Sequence, residues 1–299
     1  MRQAVSEVSE ESNFKIWEPR TWQRRSRLML IASVCVAAAT ALSLAPRMPI
    51  GPAYHVFADT RTMWGIPNAL DVLSNLPFFF VGMWGLLWLM RDAGRAGFLD
   101  RRERIPYLVF FAGVMFTGVG SFWYHLAPCN QRLPWDLVPM TCAFVALVVA
   151  AYMERVNVRA GYAALAPLLL VGASTVFYWY FTNATGHGDY KYYLFLQFFS
   201  PVVLTLLIAF FPPRYTGFRF LAIAFLFYVL AKFFENYDFP IYRDLHGTVS
   251  GHTLKHLIAG VACFWVLLML KRRQPIVQGQ TGSSRAANLV ESDKSVANI

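Results

Sequence analysis

Charge is scarce in this sequence. Only 15% of its 299 residues are Asp, Glu, Lys or Arg, whereas 57% are hydrophobic; a water-soluble domain carries about 25% charged and about 45–50% apolar residues. That shortage excludes an ordinary water-soluble enzyme. Cysteine is scarce too. Cys35, Cys129, Cys142 and Cys263 form no C-x-x-C pair, and three of them sit inside apolar runs, which leaves neither a disulfide framework nor a thiolate zinc site. The chain also lacks internal repeats and any polar stretch large enough to form an independent soluble domain.

What it has instead is long apolar runs. They begin near Leu28, Val72, Tyr107, Leu137, Gly161, Tyr192, Arg219 and His252, and each is long enough to cross a hydrocarbon core of about 30 Å as a helix. The expected fold class is therefore all-α, a polytopic membrane bundle of eight spans. Ser43-Leu44-Ala45 resembles a small-residue cleavage site, but the polar leader before the first run is too long for an ordinary signal peptide, so that helix is expected to be retained. The segment 274–299 is polar and without apolar period, and is expected to be disordered.

The net charge of +10 would suit a nucleic-acid partner if the basic residues were clustered. They are instead distributed as membrane topology requires. The segments at both termini and every second loop hold twenty Lys and Arg, while Arg47, Arg61, Arg132, Lys191 and Arg243 are the five in the alternate loops. By the positive-inside rule both termini are cytoplasmic, and no nucleic-acid partner is expected.

Within a membrane the informative residues are ionisable groups at span ends, because each is costly unless paired, solvated or metal-bound. The last span opens with Gly251-His252-Thr253-Leu254-Lys255-His256. Residues four apart lie about 40° apart around a helix, so His252 and His256 can reach one metal ion, although the same pair also suits two interfacial histidines satisfied by water. Lys255 is expected to snorkel toward the interface. The third span ends Gly120-Ser121-Phe122-Trp123-Tyr124-His125, with Ser121 one turn before His125 on the same face. This end lies on the side where His252 begins its span, so His125 supplies the third imidazole that an open zinc site needs. Asp136 opens the fourth span, as a helix cap or as a general base beside a metal. Asp59, Asn68 and Asp71 precede Ser74 and Asn75 at the outer start of the second span; they suit helix capping or, more loosely, calcium. Glu235 and Asp238 end the seventh span, where they either orient metal-bound imidazoles or face water.

Taken together, Ser121-x-x-x-His125, Asp136 and His252-x-x-x-His256, with the stretches Ser74-Asn75-Leu76-Pro77-Phe78 and SGHTLKHL, resemble the alkaline ceramidases, in particular bacterial members of their superfamily of adiponectin-receptor-like and glycolipid-remodelling membrane proteins. The resemblance covers residues 58–270, which makes the helix at 28–45 an addition to a seven-helix core, flanked by cytoplasmic segments 1–27 and 274–299. It implies a zinc amidase with His125, His252 and His256 as ligands and Ser121 and Asp136 as catalytic residues, acting on a membrane lipid such as ceramide. Eukaryotic members also hold calcium in the segment before the second span. Here that segment is shorter, and Asn68 stands where one glutamate is expected.

On this reading Asp136 moves the proton of the attacking water and Ser121 donates to the developing oxyanion. Two rivals differ in kind. Ser121, His125 and Asp136 would also compose a serine-hydrolase triad, but no G-x-S-x-G elbow surrounds Ser121 and the triad leaves His252 and His256 idle. A non-enzymatic receptor, or a lipid-remodelling protein of other specificity, would use the zinc differently. Charge counting carries its own test: a cysteine at Asn130, in a background without native cysteines, is expected to react with an impermeant maleimide in intact spheroplasts, and one at Gln274 only after lysis. The reverse pattern would invert the topology.

Overall fold

Short connections between long apolar segments force neighbouring helices to pack antiparallel. A computed structural model describes residues 21–276. Its helices, in chain order, are α1 Thr21–Leu44, α2 Ala69–Leu73, α3 Leu76–Met90, α4 Asp92–Ala96, α5 Arg104–Leu126, α6 Leu133–Arg155, α7 Val158–Ala184, α8 Lys191–Phe210, α9 Phe218–Asn236, α10 Asp238–Asp244 and α11 Gly251–Arg272. Among the described residues the extended pairing is limited to isolated bridges, Met63 with Ile66 and Tyr215 with Pro275, so the protein is all-helical.

Seven stretches are long and apolar enough to cross a membrane: Gln23–Leu44, Ala69–Met90, Arg101–Leu126, Leu133–Arg155, Val158–Ala184, Lys191–Phe210 and Gly251–Arg272. The eight apolar runs of the sequence thus divide into these seven and α9, which is of similar length but carries Arg219, Lys232 and Glu235. Helix α1 begins at Thr21, ahead of its apolar run, and forms a unit of its own. The leader up to residue 20 and the tail from residue 277 lie outside the described residues. The start of that tail departs from the expected disorder: Thr216 N–H donates to Gln274 O at 2.9 Å and Ile276 N–H to Arg214 O at 2.9 Å, because backbone groups of two adjoining segments satisfy each other there.

In the second unit, from Ala45 onward, α5 packs between α3 and α6, α6 also meets α7 and α8, and α11 lies against α9 and α3. Its core is aromatic and aliphatic, with Phe78, Phe110, Phe111, Val114, Leu267 and Leu270 in one cluster and Tyr124, Leu133, Trp179 and Tyr193 in another. The outer faces are equally apolar: Phe80, Leu170 and Leu226 are 62%, 73% and 66% exposed. In water such faces would drive association, but a span presents them to lipid.

Two glycines bring helix ends together. A Cβ at Gly120 would lie 1.8 Å from Trp135 O, so α5 and the start of α6 touch backbone to backbone and Ser121 is brought beside Asp136. A Cβ at Gly251 would lie 2.4 Å from Phe234 O, which seats the first turn of α11 against α9. The opposite end of the bundle is pinned by buried ion pairs. Glu103 takes Arg214 at 2.6 Å and the hydroxyl of Tyr215, and Glu154 takes Arg273 and the hydroxyl of Tyr107, the latter at 3.0 Å.

Candidate metal centre

His125 sits in the last turn of α5, while His252 and His256 occupy the first two turns of α11. All three are buried, and their ligating nitrogens lie within 4.8 Å of one another. The Nε2 atoms of His125 and His252 are 3.3 Å apart. Two nitrogens bound at about 2.0–2.1 Å to a tetrahedral zinc stand about 3.3–3.4 Å apart. Among the described residues no fourth His, Cys, Asp or Glu joins the group. The residues fit a metal ion, and their chemistry is compatible with zinc.

The surroundings fix the histidines one by one. Ser74, at the end of α2, donates its hydroxyl proton to Asp71 O at 3.0 Å and stands 2.8 Å from His256 Nδ1. A hydroxyl has one proton to give, so Nδ1 of His256 must be the donor in the second bond. The lone pair of His256 is thereby placed on Nε2, as a metal ligand requires. His252 is held through its backbone: its N–H donates to Asp238 Oδ1 at 2.7 Å, and the other oxygen of Asp238 accepts from Ala58 N–H at 2.9 Å. The backbone carbonyl of His125 accepts from Asn68 Nδ2 at 2.8 Å. Phe57 covers the cluster, its ring 4.7 Å from that of His125 and 4.4 Å from that of His252.

The loosely grouped oxygen residues each have a different protein partner in the structure. Asp59 is gripped by Arg61, through Nε at 2.8 Å and Nη2 at 2.7 Å. Burial works to raise the Asp59 carboxyl, but the bonds and charge of Arg61 outweigh it and hold it below the ordinary carboxylate range. Asn68 is committed to His125, and Asp71 Oδ1 accepts from Thr253 Oγ1 at 2.6 Å and Ser250 Oγ at 3.1 Å, tying α2 to the first turn of α11. Asp238 holds backbone rather than an imidazole.

Lys255 does not snorkel. Its ammonium meets Glu235 at 2.9 Å and its side chain is only 22% exposed, because Glu235, on the neighbouring α9, offers a carboxylate nearer than water does. Glu235 also binds Lys232, so it orients no histidine. Ser121 and Asp136 lie on one cavity wall; no hydrogen bond among the described residues joins His125 to either, and His125 Nδ1 is unpartnered. The Ser-His-Asp relay is therefore not assembled. Ser121, Asp136 and His256 line one cavity of about 190 Å³, whose other walls include Phe78, Phe110 and Met140.

No protein-family model matches the chain, and no curated protein matches it. The geometry makes its own prediction: purified protein should carry about one equivalent of divalent metal, lost in each of His125→Ala, His252→Ala and His256→Ala. Ser74→Ala should bind it about 10–100-fold more weakly, as loss of a ligand-orienting partner does. Elemental analysis and competition with a chelator check both, and full metal retention in His256→Ala would contradict the assignment.

Proposed function

We propose that the protein is a zinc-dependent intramembrane amidase that cleaves the N-acyl bond of ceramide-type lipids to a long-chain base and a fatty acid, as its resemblance to the alkaline ceramidases implies. One observation carries the reading. Ser121 and Asp136 line the same apolar cavity as His256 of the three-imidazole group, so an acyl chain, an acid–base pair and a metal position adjoin. In this reading α9 is also a crossing helix, the seven helices after α1 form the hydrolase core, and the termini face the cytoplasm of a bacterial inner membrane, with the centre toward the outer side.

Zinc, when bound, supplies Lewis acidity toward the amide carbonyl and brings the pKa of water down to about 7. Asp136 takes the proton of the attacking water and delivers it to the leaving amine, a role open to it because it lines the cavity with His256. Ser121, on the same cavity, donates its hydroxyl to the developing oxyanion. Phe57 and the apolar wall exclude bulk water, which strengthens each of these polar contacts. Calcium has no part in this mechanism.

Asp136→Asn preserves shape but cannot accept a proton, so it is expected to keep its zinc and lose about 10²–10⁴-fold in turnover. Ser121→Ala should keep zinc and lose less. Hydrolysis of a short-chain fluorescent ceramide, measured beside zinc content, decides the point; zinc lost from Asp136→Asn would make that residue structural, and an active metal-free preparation would overturn the amidase.

A further inference from the structure

The substrate cavity carries charge that its apolar walls do not call for. Lys232 and Lys255 both line it, and a single carboxylate serves them: Lys255 Nζ is 2.9 Å from Glu235 Oε1, and Lys232 holds Glu235 Oε2. Both ammonium groups are largely withdrawn from solvent, their side chains 22% and 19% exposed. An ammonium has three N–H bonds to place. Among the described residues Lys255 has Glu235 as its hydrogen-bond acceptor, and Lys232 has Glu235 together with the face of the Phe198 ring at 5.1 Å.

Lys232 and Lys255 share Glu235, and Asp136 is the second carboxylate on their cavity. In the amidase Asp136 gains a proton during each turnover, which leaves two ammonium groups to one carboxylate, and a charge inside an apolar enclosure is kept only where an opposite charge meets it. A visiting anion meets the remaining need. Lys255 and His256 both stand in the second turn of α11 and line the same cavity. An anion at Lys255 and an amide held at the histidines therefore occupy one cavity at the same level of α11.

We propose that Lys255, supported by Lys232, forms a carboxylate-binding site next to the scissile bond, and that the substrates this protein favours are N-acyl amino acids, whose amine half carries a carboxylate close to the amide. The inference rests on the amidase reading, keeps its N-acyl bond and its metal centre, and puts anionic amides ahead of neutral ceramide-type ones as the favoured substrates. In the reaction the amide C–N bond breaks, the oxygen of water joins the acyl carbon, and both protons of water end on the amine. The products are a fatty-acid carboxylate and a zwitterionic amino acid.

The test uses the purified full-length protein with N-oleoylglycine, the neutral N-oleoylethanolamine, and oleate, following both binding by calorimetry and hydrolysis. The wild type should bind and cleave the glycine conjugate at least tenfold better than the ethanolamide. Lys255→Met and Lys232→Met should bring that ratio toward unity with metal content maintained. Glu235→Gln removes the competing carboxylate and should raise the ratio, whereas a merely structural ion cluster would weaken both ligands alike. Lysine-dependent preference in binding without hydrolysis of either amide would uphold the site and overturn the amidase. Equal binding and cleavage of both amides would uphold the amidase and overturn the site. Lysine-dependent capture of oleate, with no preference between the two amides, would assign the lysines to the product and overturn the substrate class proposed.

Discussion

Three imidazoles can share one metal ion only if two helices distant in the chain hold them at one buried point. In this protein the nitrogens come within 4.8 Å, so the ends of α5 and α11 must be fixed against each other. The neighbouring contacts do this. Asp71 binds the hydroxyls of Ser250 and Thr253, Asp238 caps His252 and anchors Ala58, and Asn68 takes the carbonyl of His125. Each is a hydrogen bond to a buried or charged group, where losing one partner costs about 1–3 kcal/mol. A cation bound by the three imidazoles would tie the same helix ends, which is why metal binding and local order should rise and fall together.

The two ends of the unit solve different problems. At the far end Glu103 and Glu154 are bound by Arg214, Arg273 and tyrosines, while Arg104 Nε and Arg273 Nε and Nη2 are left without a hydrogen-bond partner. At the histidine end His125 Nδ1 and Asp71 Oδ2 have no hydrogen-bond partner, and two lysines share one glutamate. Buried polar groups left short of partners are where binding and chemistry are expected. Between the ends runs apolar wall, suited to an acyl chain and to little else.

Local patterns were legible in the sequence, and long-range pairings were not. His252 and His256 stand out because a helix repeats its face every fourth residue, and His125 and Asp136 because ionisable groups at span ends are costly. The all-helical architecture follows from run length alone. Phe57 lies on a loop, where no periodicity marks it, and the service of Ser74 to His256 joins residues 182 positions apart. Lys255 misleads for the same reason: a lysine near a span end ordinarily reaches for water, and only the approach of α9 puts Glu235 within its range. Two of the charges of α9 that make its crossing ambiguous by composition are at the cavity: Lys232 lines it, and Glu235 binds Lys232. Asp59 and Asp71 before the second span and Asp238 at the end of the seventh are all acidic residues at span ends, yet one pairs with an arginine, one with two hydroxyls and one with two backbone amides.

An enzyme and a structural metal protein differ at this centre in a single respect, the fourth ligand. X-ray absorption at the zinc edge on the purified protein reads it directly. The account predicts a first shell of nitrogen and oxygen at about 2.0–2.1 Å that contains three imidazoles and one exchangeable water. A shell closed by a fourth protein ligand, or one containing sulfur at about 2.3 Å, would contradict it.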